Sequence, residues 1–469
     1  MEYTGKDLIA MGLPEGKALG VCLSLINTLE EAITQEALKS KLLEIYAQPD
    51  EFLADAQFSE LAAELIRLDK EEEIALLDEA LDYKIYGAEG IEEGAMKQMN
   101  QAMRLPISRA GALMPDAHQG YGLPIGGVLA TENAIIPFGV GVDIGCRMCM
   151  SVFELPSSLL DEEIGRFKMM LNRSTKFGRA TFQKPQDHEV LANPLFNEIP
   201  IVKELHKKAI RQIGSSGGGN HFVEFGVTEI LIEDKELGLK PGKYLSVLSH
   251  SGSRGFGAGV AGHYTKLAME NCRLPQEVRH LAWLDLDSEL GTEYWLAMNL
   301  AGDYASACHH QIHAKIARDL KLEPAAMIEN HHNFAWKEFG ADGKEYIVHR
   351  KGATPASKDV LGIIPGSMTA PGFIVRGKGE SASINSASHG AGRAMSRTKA
   401  KNTLDPAAVS KHLDDAGITL IGSGLDEAPM AYKNIHDVME RQKDLVDVVG
   451  SFTPKIVKMC GDNRFREVD

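Results

Sequence analysis

Leu245-Ser246-Val247-Leu248-Ser249-His250-Ser251-Gly252-Ser253-Arg254-Gly255 carries the pattern on which the fold turns. A Leu/Val run too short for a helix enters a turn of serines and glycines, and a helical pattern follows over 260–272. The same texture recurs from about residue 105 onward. Gly126-Gly127-Val128-Leu129, Val140-Gly141-Val142-Asp143 and the apolar runs at 346–348, 373–375 and 419–421 read as strands between Gly-rich turns. Helical stretches are expected over 260–272, 288–320, 391–400, 406–416 and 434–447. Strands and helices mix without a regular βαβ period, which predicts an α+β fold and not a doubly wound sheet.

The first 95 residues differ. They hold 22 acids and 7 bases, a surplus that equals the net charge of −15 for the whole 469-residue chain. The spacing predicts a mainly helical, acidic N-terminal extension over 1–95 and a neutral body over 96–469. Thr28-Leu29-Glu30-Glu31 reads as a capping box, followed by an apolar stripe of Ile33, Leu38, Leu42 and Ile45. Leu61, Leu65 and Leu68 predict a second helix running into Glu71-Glu72-Glu73, a solvated face.

Composition excludes several classes. A 44% hydrophobic content with 46 Gly and 19 Pro fits a folded protein and not a disordered one. No apolar run reaches the roughly 18 residues that span a bilayer, so no membrane partner is expected. MEYTGKDLIA has no secretory pattern, and six scattered cysteines read as reduced thiols. A cytoplasmic location is expected. The acidic balance argues against non-specific coating of nucleic acid.

Chemistry gathers around histidines in polar turns. Gly219-Asn220-His221-Phe222, His250 with its serines, His331-His332-Asn333 and Ser388-His389-Gly390 are the main cases. Asp143-Ile144-Gly145-Cys146 adds a carboxylate and a thiol. With neutral imidazoles, these suit Mn, Zn or Fe better than Ca or Mg. Taken alone, Asp-x-x-Cys is more often a structural cysteine, and a turn histidine is as often bonded to backbone. Gly214-Ser-Ser-Gly-Gly-Gly219 reads as an anion nest or a flexible turn. Gly257-Ala-Gly259-Val-Ala-Gly262 spells GxGxxG but lacks a strand directly before it, so it is a decoy. Cys308-His309-His310-x-x-His313 lies in a helical pattern without the glutamate of HExxH, and is not expected to be a metal site. Residues 376–401 carry six bases against Glu380 alone. They read as a charged surface helix or as a phosphate-binding rim around a nucleophilic His389.

Read together and in order, nine motifs resemble the RtcB family of RNA-splicing ligases. They are Pro115-Asp116-Ala117-His118-Gln119-Gly120-Tyr121-Gly122, Val140 to Cys146, Gly219 to Phe222 with Glu224, and His250 to Gly255. His332-Asn333, Arg350-Lys351-Gly352-Ala353, Pro365-Gly366-Ser367-Met368, Ser388 to Arg393 and Asp426 to Pro429 with Tyr432 complete the set. The resemblance covers about residues 100–450. It implies an α+β catalytic domain of mixed sheets with surrounding helices and a site for two Mn2+ ions. Asp143, Cys146 and His221 would hold one ion. Cys146, His250 and His332 would hold the other, with Cys146 bridging. His389 would attack the α-phosphate of GTP. Asn220, His221, Phe222, Glu224, His332, Asn333, Pro365, Gly366, Ser367, Met368, His389, Gly390, Ala391 and Gly392 would line the nucleotide, and Tyr432 would lie against guanine.

The activity so implied joins an RNA 2′,3′-cyclic phosphate or 3′-phosphate end to a 5′-hydroxyl end through a histidine–GMP intermediate, in tRNA splicing or RNA repair. Asp116 and His118 would support the site, bind substrate or be structural. Four departures mark a divergent paralogue. Gly372 stands where a serine is usual, Pro355 where arginine is usual, and Arg147 where glycine is usual. The closing Val-Lys-Gly becomes Val457-Lys458-Met459-Cys460-Gly461, so Lys458 either takes over the guanine contact or leaves it lost. Two other readings stand beside the ligase. One is a metal-dependent phosphoesterase acting on cyclic-phosphate RNA ends. The other is a non-catalytic RNA-end or ribosome-binding protein, with the acidic extension docking a protein partner or shielding the RNA groove.

Overall fold

The computed structural model describes residues 3–14, 17–29, 34–70, 73–184, 186–340 and 342–461. The chain divides into two compact units, residues 1–74 with 273–275, and residues 75–272 with 276–469.

The smaller unit is helical. Gly5–Ala10, Lys17–Thr28, Gln35–Ala47 and Ser59–Lys70 close on Leu8, Ile26, Leu38, Leu42, Ile45, Phe58, Leu61 and Leu65. Each such side chain contributes roughly 1.5–3 kcal/mol by leaving water. The expected capping box at Thr28 is not a helix start. Thr28 ends its helix and its hydroxyl donates to the Leu25 carbonyl at 2.7 Å, while Thr34 caps the next helix. Glu31, Ile33, Glu71 and Glu72 lie outside the described residues. A capping box does occur at Thr4, which exchanges hydrogen bonds with Asp7.

Compactness divides the chain at Ile74, and not at residue 95 where the charge surplus ends. Lys84–Ile85 is an edge strand of the larger unit, parallel to Ala112 and Leu113. The larger unit is α+β, as expected. Its main sheet has the order Leu361–Ile364, Gly372–Gly377, Val446–Met459, Phe222–Ile230, Gly242–Ser251, Arg147–Phe153 and Ala326–His331, with Thr419–Ile421 parallel to Val446–Met459. A five-stranded sheet contains Ser108–His118, Ile125–Thr131, Glu345–Lys351 and Asn333–Phe339 besides the short edge. The chain steps from one sheet to the other at His332, the single residue between the strands Ala326–His331 and Asn333–Phe339.

Period-2 alternation gives the main sheet two different faces. Phe153, Val223, Phe225, Leu245 and Val247 pack with Ile312 and Ile316 of the 32-residue helix Glu289–Leu320. Met148, Met150, Leu248, Ile363 and Ile374 form the core on the other face. His250 pairs with both Met148 and Phe222 and shares this second face.

Three local expectations change. Val140–Asp143 is no strand, because Pro137 starts a single helical turn that ends at Val140, and Gly141 (φ 103°) opens a turn. The helix expected at 391–400 occupies Arg397–Thr403, capped by Ser396; Gly392 (φ 70°) blocks an earlier start. The one expected at 434–447 stops at Glu440, and Val446 begins the longest strand. The GxGxxG segment lies inside the helix Arg254–Asn271, which rules out a strand-to-helix phosphate turn there.

Candidate active site

The turn after Val140 delivers two acceptor groups. Cys146 N donates to Asp143 O at 3.1 Å, and Gly145 N to Asn333 O at 2.7 Å. Gly145 (φ 70°) lies against the long helix so closely that a Cβ would sit 2.8 Å from Gly302 Cα. Arg147 locks this approach. Its guanidinium donates to Gly145 O at 3.0 Å, Gly302 O at 2.7 Å and Glu329 at 2.5 Å, and Glu329 also takes His310 at 3.0 Å. The departure at Arg147 therefore clamps the turn and does not face the cavity.

Five donor groups form a continuous line. Asp143 Oδ2 lies 3.0 Å from His221 Nε2, and His221 Nε2 lies 3.2 Å from Cys146 Sγ. Cys146 Sγ lies 3.2 Å from His250 Nε2, which lies 3.2 Å from His332 Nε2. Cys146 is the middle member, so the line reads as two overlapping triplets that share the thiol. His250 Nδ1 donates to Asn220 O at 3.2 Å, which turns the Nε2 lone pair toward Cys146. Burial, reinforced by neighbouring imidazoles, holds His250 and His332 well below the ordinary histidine range, so both are neutral. Two neutral imidazole nitrogens facing each other, in line with the Cys146 thiol and the Asp143 carboxylate, fit a divalent cation of borderline softness.

His389 stands beside this line, its ring centroid 4.9 Å from that of His332. Its Nδ1 lies 2.7 Å from Asp116 Oδ2, and its backbone N donates to the same oxygen at 3.1 Å. Burial alone would raise the Asp116 carboxyl. The His389 hydrogen bond and charge, with Lys433 and His118, outweigh it and leave the carboxyl below its ordinary value. A proton on Nδ1 directed at Asp116 leaves Nε2 with the free lone pair. Gly392 makes the approach feasible, since a Cβ there would fall 2.1 Å from Asp116 O. Asp116 thus belongs to His389, a role the sequence left open. His118 borders the cavity, with burial pushing it down to about 4.

One cavity gathers nearly all of the sequence-derived residues. Asp143, Cys146, Asn220, His221, Phe222, Glu224, His250, His332, Asn333 and Tyr432 line it, with Pro365 to Met368 and His389 to Gly392. Burial pushes the Glu224 carboxyl well above its ordinary value. Asn333 accepts from Gly352 N at 2.8 Å. The Tyr432 hydroxyl donates to Glu427, and Arg393 lies 5.3 Å from its ring centroid.

Lys458 is not among them. Val457 and Met459 face the cavity, whereas strand alternation turns Lys458 to the other side, where Nζ donates to Leu171 O at 3.3 Å. The basic stretch also divides. Arg393 and Arg397 border the cavity while paired with Glu427, but Arg376 pairs with Asp234 at 2.7 Å and Lys378 with Asp447 at 2.9 Å. Of the Gly214–Asn220 segment, only Asn220 borders the cavity. Lys351, within the Arg350–Ala353 motif, stands at the cavity wall, where its Nζ donates to Tyr121 O at 2.7 Å. Met459 carried no sequence signal beyond its place after Lys458.

The family model described as tRNA-splicing ligase RtcB matches residues 98–199 and 182–459. The chain belongs to the RtcB family. The RNA-splicing ligase RtcB of Escherichia coli strain K12 is 33% identical over 395 residues, covering 76% of this chain and 92% of the relative. The tRNA-splicing ligase RtcB of Nanoarchaeum equitans is 30% identical over 439 residues, covering 78% and 91%. That of Archaeoglobus fulgidus is 30% identical over 423 residues, covering 75% and 87%. The RtcB match includes every residue of the donor line and His389. No helix among the described residues is long and apolar enough to cross a membrane.

Proposed function

We propose that the protein is an RNA ligase that uses GTP and two Mn2+ ions to join an RNA 2′,3′-cyclic phosphate or 3′-phosphate end to a 5′-hydroxyl end. The observation that carries this reading is the five-donor line centred on Cys146 with His389 beside it. Asp143, Cys146 and His221 would hold one ion, and Cys146, His250 and His332 the other. Bound ions there would neutralise phosphate charge as the α-phosphate is displaced.

The chain supplies the nucleophile. His389 Nε2 forms a bond to the α-phosphorus, the bond from that phosphorus to the bridging oxygen breaks, and pyrophosphate leaves. Asp116 holds the proton-bearing Nδ1 and stabilises the cationic imidazole that forms. Water opens a cyclic phosphate to a 3′-phosphate. An oxygen of that 3′-phosphate attacks the GMP phosphorus and the P–N bond breaks, activating the RNA end. The 5′-hydroxyl oxygen then attacks the 3′-phosphorus and GMP leaves. Asn220, Phe222, Glu224, Ser367 and Tyr432 line the nucleotide. Incubation of RNA bearing the two ends with GTP and Mn2+ tests the reading. It expects joined product from wild-type protein and none from His389→Ala; joining without nucleotide would overturn it.

The position of Lys458 favours a second reading, a metal-dependent phosphoesterase that opens cyclic-phosphate ends without nucleotide. Release of 3′-phosphate in the absence of GTP would support it, and strict GTP dependence of all turnover would eliminate it.

A further inference from the structure

The Cys308-His309-His310-x-x-His313 motif forms a hydrogen-bonded relay behind the donor line. His309 and His313 lie one turn apart on the buried side of the helix Glu289–Leu320. Ser249 Oγ sits between them, 2.6 Å from His309 Nδ1 and 2.7 Å from His313 Nε2. Ser151 Oγ lies 2.7 Å from His313 Nδ1, and His309 Nε2 lies 3.0 Å from Ser251 O.

One arrangement of protons satisfies every member. The Ser251 carbonyl can only accept, so His309 Nε2 carries the proton and His309 Nδ1 accepts from the Ser249 hydroxyl. Ser249 Oγ then accepts from His313 Nε2, and His313 Nδ1 accepts from Ser151. Both rings are neutral in this arrangement, and burial favours it by holding His309 down to about 4 and His313 to about 3. Cys149, His309 and His313 could also gather around a cation. However, both nitrogens of each ring are already engaged, and Ser249 Oγ bridges the two facing nitrogens. Burial also keeps the Cys149 thiol protonated, well above its ordinary range. Hydrogen bonding accounts for the cluster without an ion.

The two serines held by this relay flank His250. Strand alternation sends Ser249 and Ser251 toward the helix and His250 toward Cys146. We propose that His309 and His313 are positioning residues that fix His250 as a metal ligand by anchoring Ser249 and Ser251. This role rests on the metal-binding reading given above. Partners that orient a ligand typically contribute about 10–100-fold to metal affinity.

The test uses the full-length protein. Mn2+ affinity and stoichiometry are measured by titration calorimetry, together with the thermal midpoint, for wild type, His313→Gln, His309→Gln and Ser249→Ala. Ser249→Ala removes one hydroxyl and creates little space, so it keeps the test available if a histidine variant does not fold. The expected result is Mn2+ binding weakened about 10–100-fold in the folded variants. A Ser249→Ala/His309→Gln double variant should be little worse than either single one, because the residues act in series. Unchanged Mn2+ affinity in Ser249→Ala, even with a lowered thermal midpoint, would show a purely structural role and overturn the proposal. Three tight ions per wild-type chain, with one lost in His313→Gln, would overturn it in favour of a separate metal site. Wild-type protein that binds no divalent ion would remove the metal centre itself and this role with it.

Discussion

His389 and Asp116 are joined twice: the carboxylate oxygen Oδ2 takes both the Nδ1 and the backbone N–H of His389, at 2.7 and 3.1 Å. The first bond leaves Nε2 as the nitrogen with the free lone pair, and the second fixes where the ring stands. Asp116→Asn keeps the volume but cannot neutralise an imidazolium. It is expected to slow formation of the nucleotide adduct by about 10²–10⁴-fold, with bound Mn2+ unchanged. Single-turnover labelling with metal analysis checks this; adduct formation within about threefold of wild type would separate the carboxylate from the nucleophile.

Arg147→Gly restores the residue usual in the resembling family but removes the clamp between Gly145, Gly302 and Glu329. A partly buried carboxylate would lose its arginine. Urea unfolding is expected to show a loss of about 3 kcal/mol. Adding Glu329→Gln should recover part of it, since the stranded charge goes with it. A loss under about 0.5 kcal/mol, the size of an ordinary surface change, would show that the clamp adds nothing.

The same cluster gives a pH signature. Against the penalty of burial, His310 and Arg147 hold the Glu329 carboxyl below its ordinary 4.5, and the Glu329 hydrogen bond raises His310 above its ordinary 6.5. Glu329 adds stability above its unfolded value, lost as the pH falls through the lower folded one. His310 adds stability below its unfolded value, lost as the pH rises through the higher folded one. The gap in thermal midpoint between wild type and Glu329→Gln should therefore be widest at about pH 5–6. It should narrow toward pH 8, where only the Arg147 share remains, and close in strong acid. A gap that widens steadily from pH 5 to 8 would contradict this assignment.

Lys458→Ala is expected to change the KM for GTP by no more than about twofold, because the side chain lies on the far face of its strand. Phe222→Ala, on the cavity face, should raise it clearly more. Steady-state kinetics of RNA joining compares the two. A tenfold rise for Lys458→Ala would place the lysine at the base.

Much of the site was legible because its chemistry is local in the sequence. Asp-x-x-Cys, Asn-His-Phe and Ser-His-Gly each place a reactive group next to residues that permit a tight turn, and the structure brings them to one cavity. Three things were hidden. The facing of Lys458 depends on strand register, which a one-residue shift reverses. The partner of Asp116 lies 273 residues away, and no local spacing encodes it. His309 and His313 looked like a failed metal motif because the serines that complete them come from two other strands. In the fold, Val140–Asp143 has the composition of a strand, but Val140 ends a single helical turn begun by Pro137 and Gly141 opens the next turn. The boundary at 95 followed charge, whereas Lys84 and Ile85 already pair with a strand of the larger unit.

The most direct measurement is incubation of wild type and His389→Ala with GTP labelled at the α-phosphate and Mn2+, followed by denaturing separation. Wild type should carry about one acid-labile, base-stable label per chain, the behaviour of a phosphorus–nitrogen bond at a nucleophilic histidine, while His389→Ala and chelated protein carry none. Label of equal amount on His389→Ala, or none on a wild-type protein that still joins RNA, would refute His389 as the nucleophile.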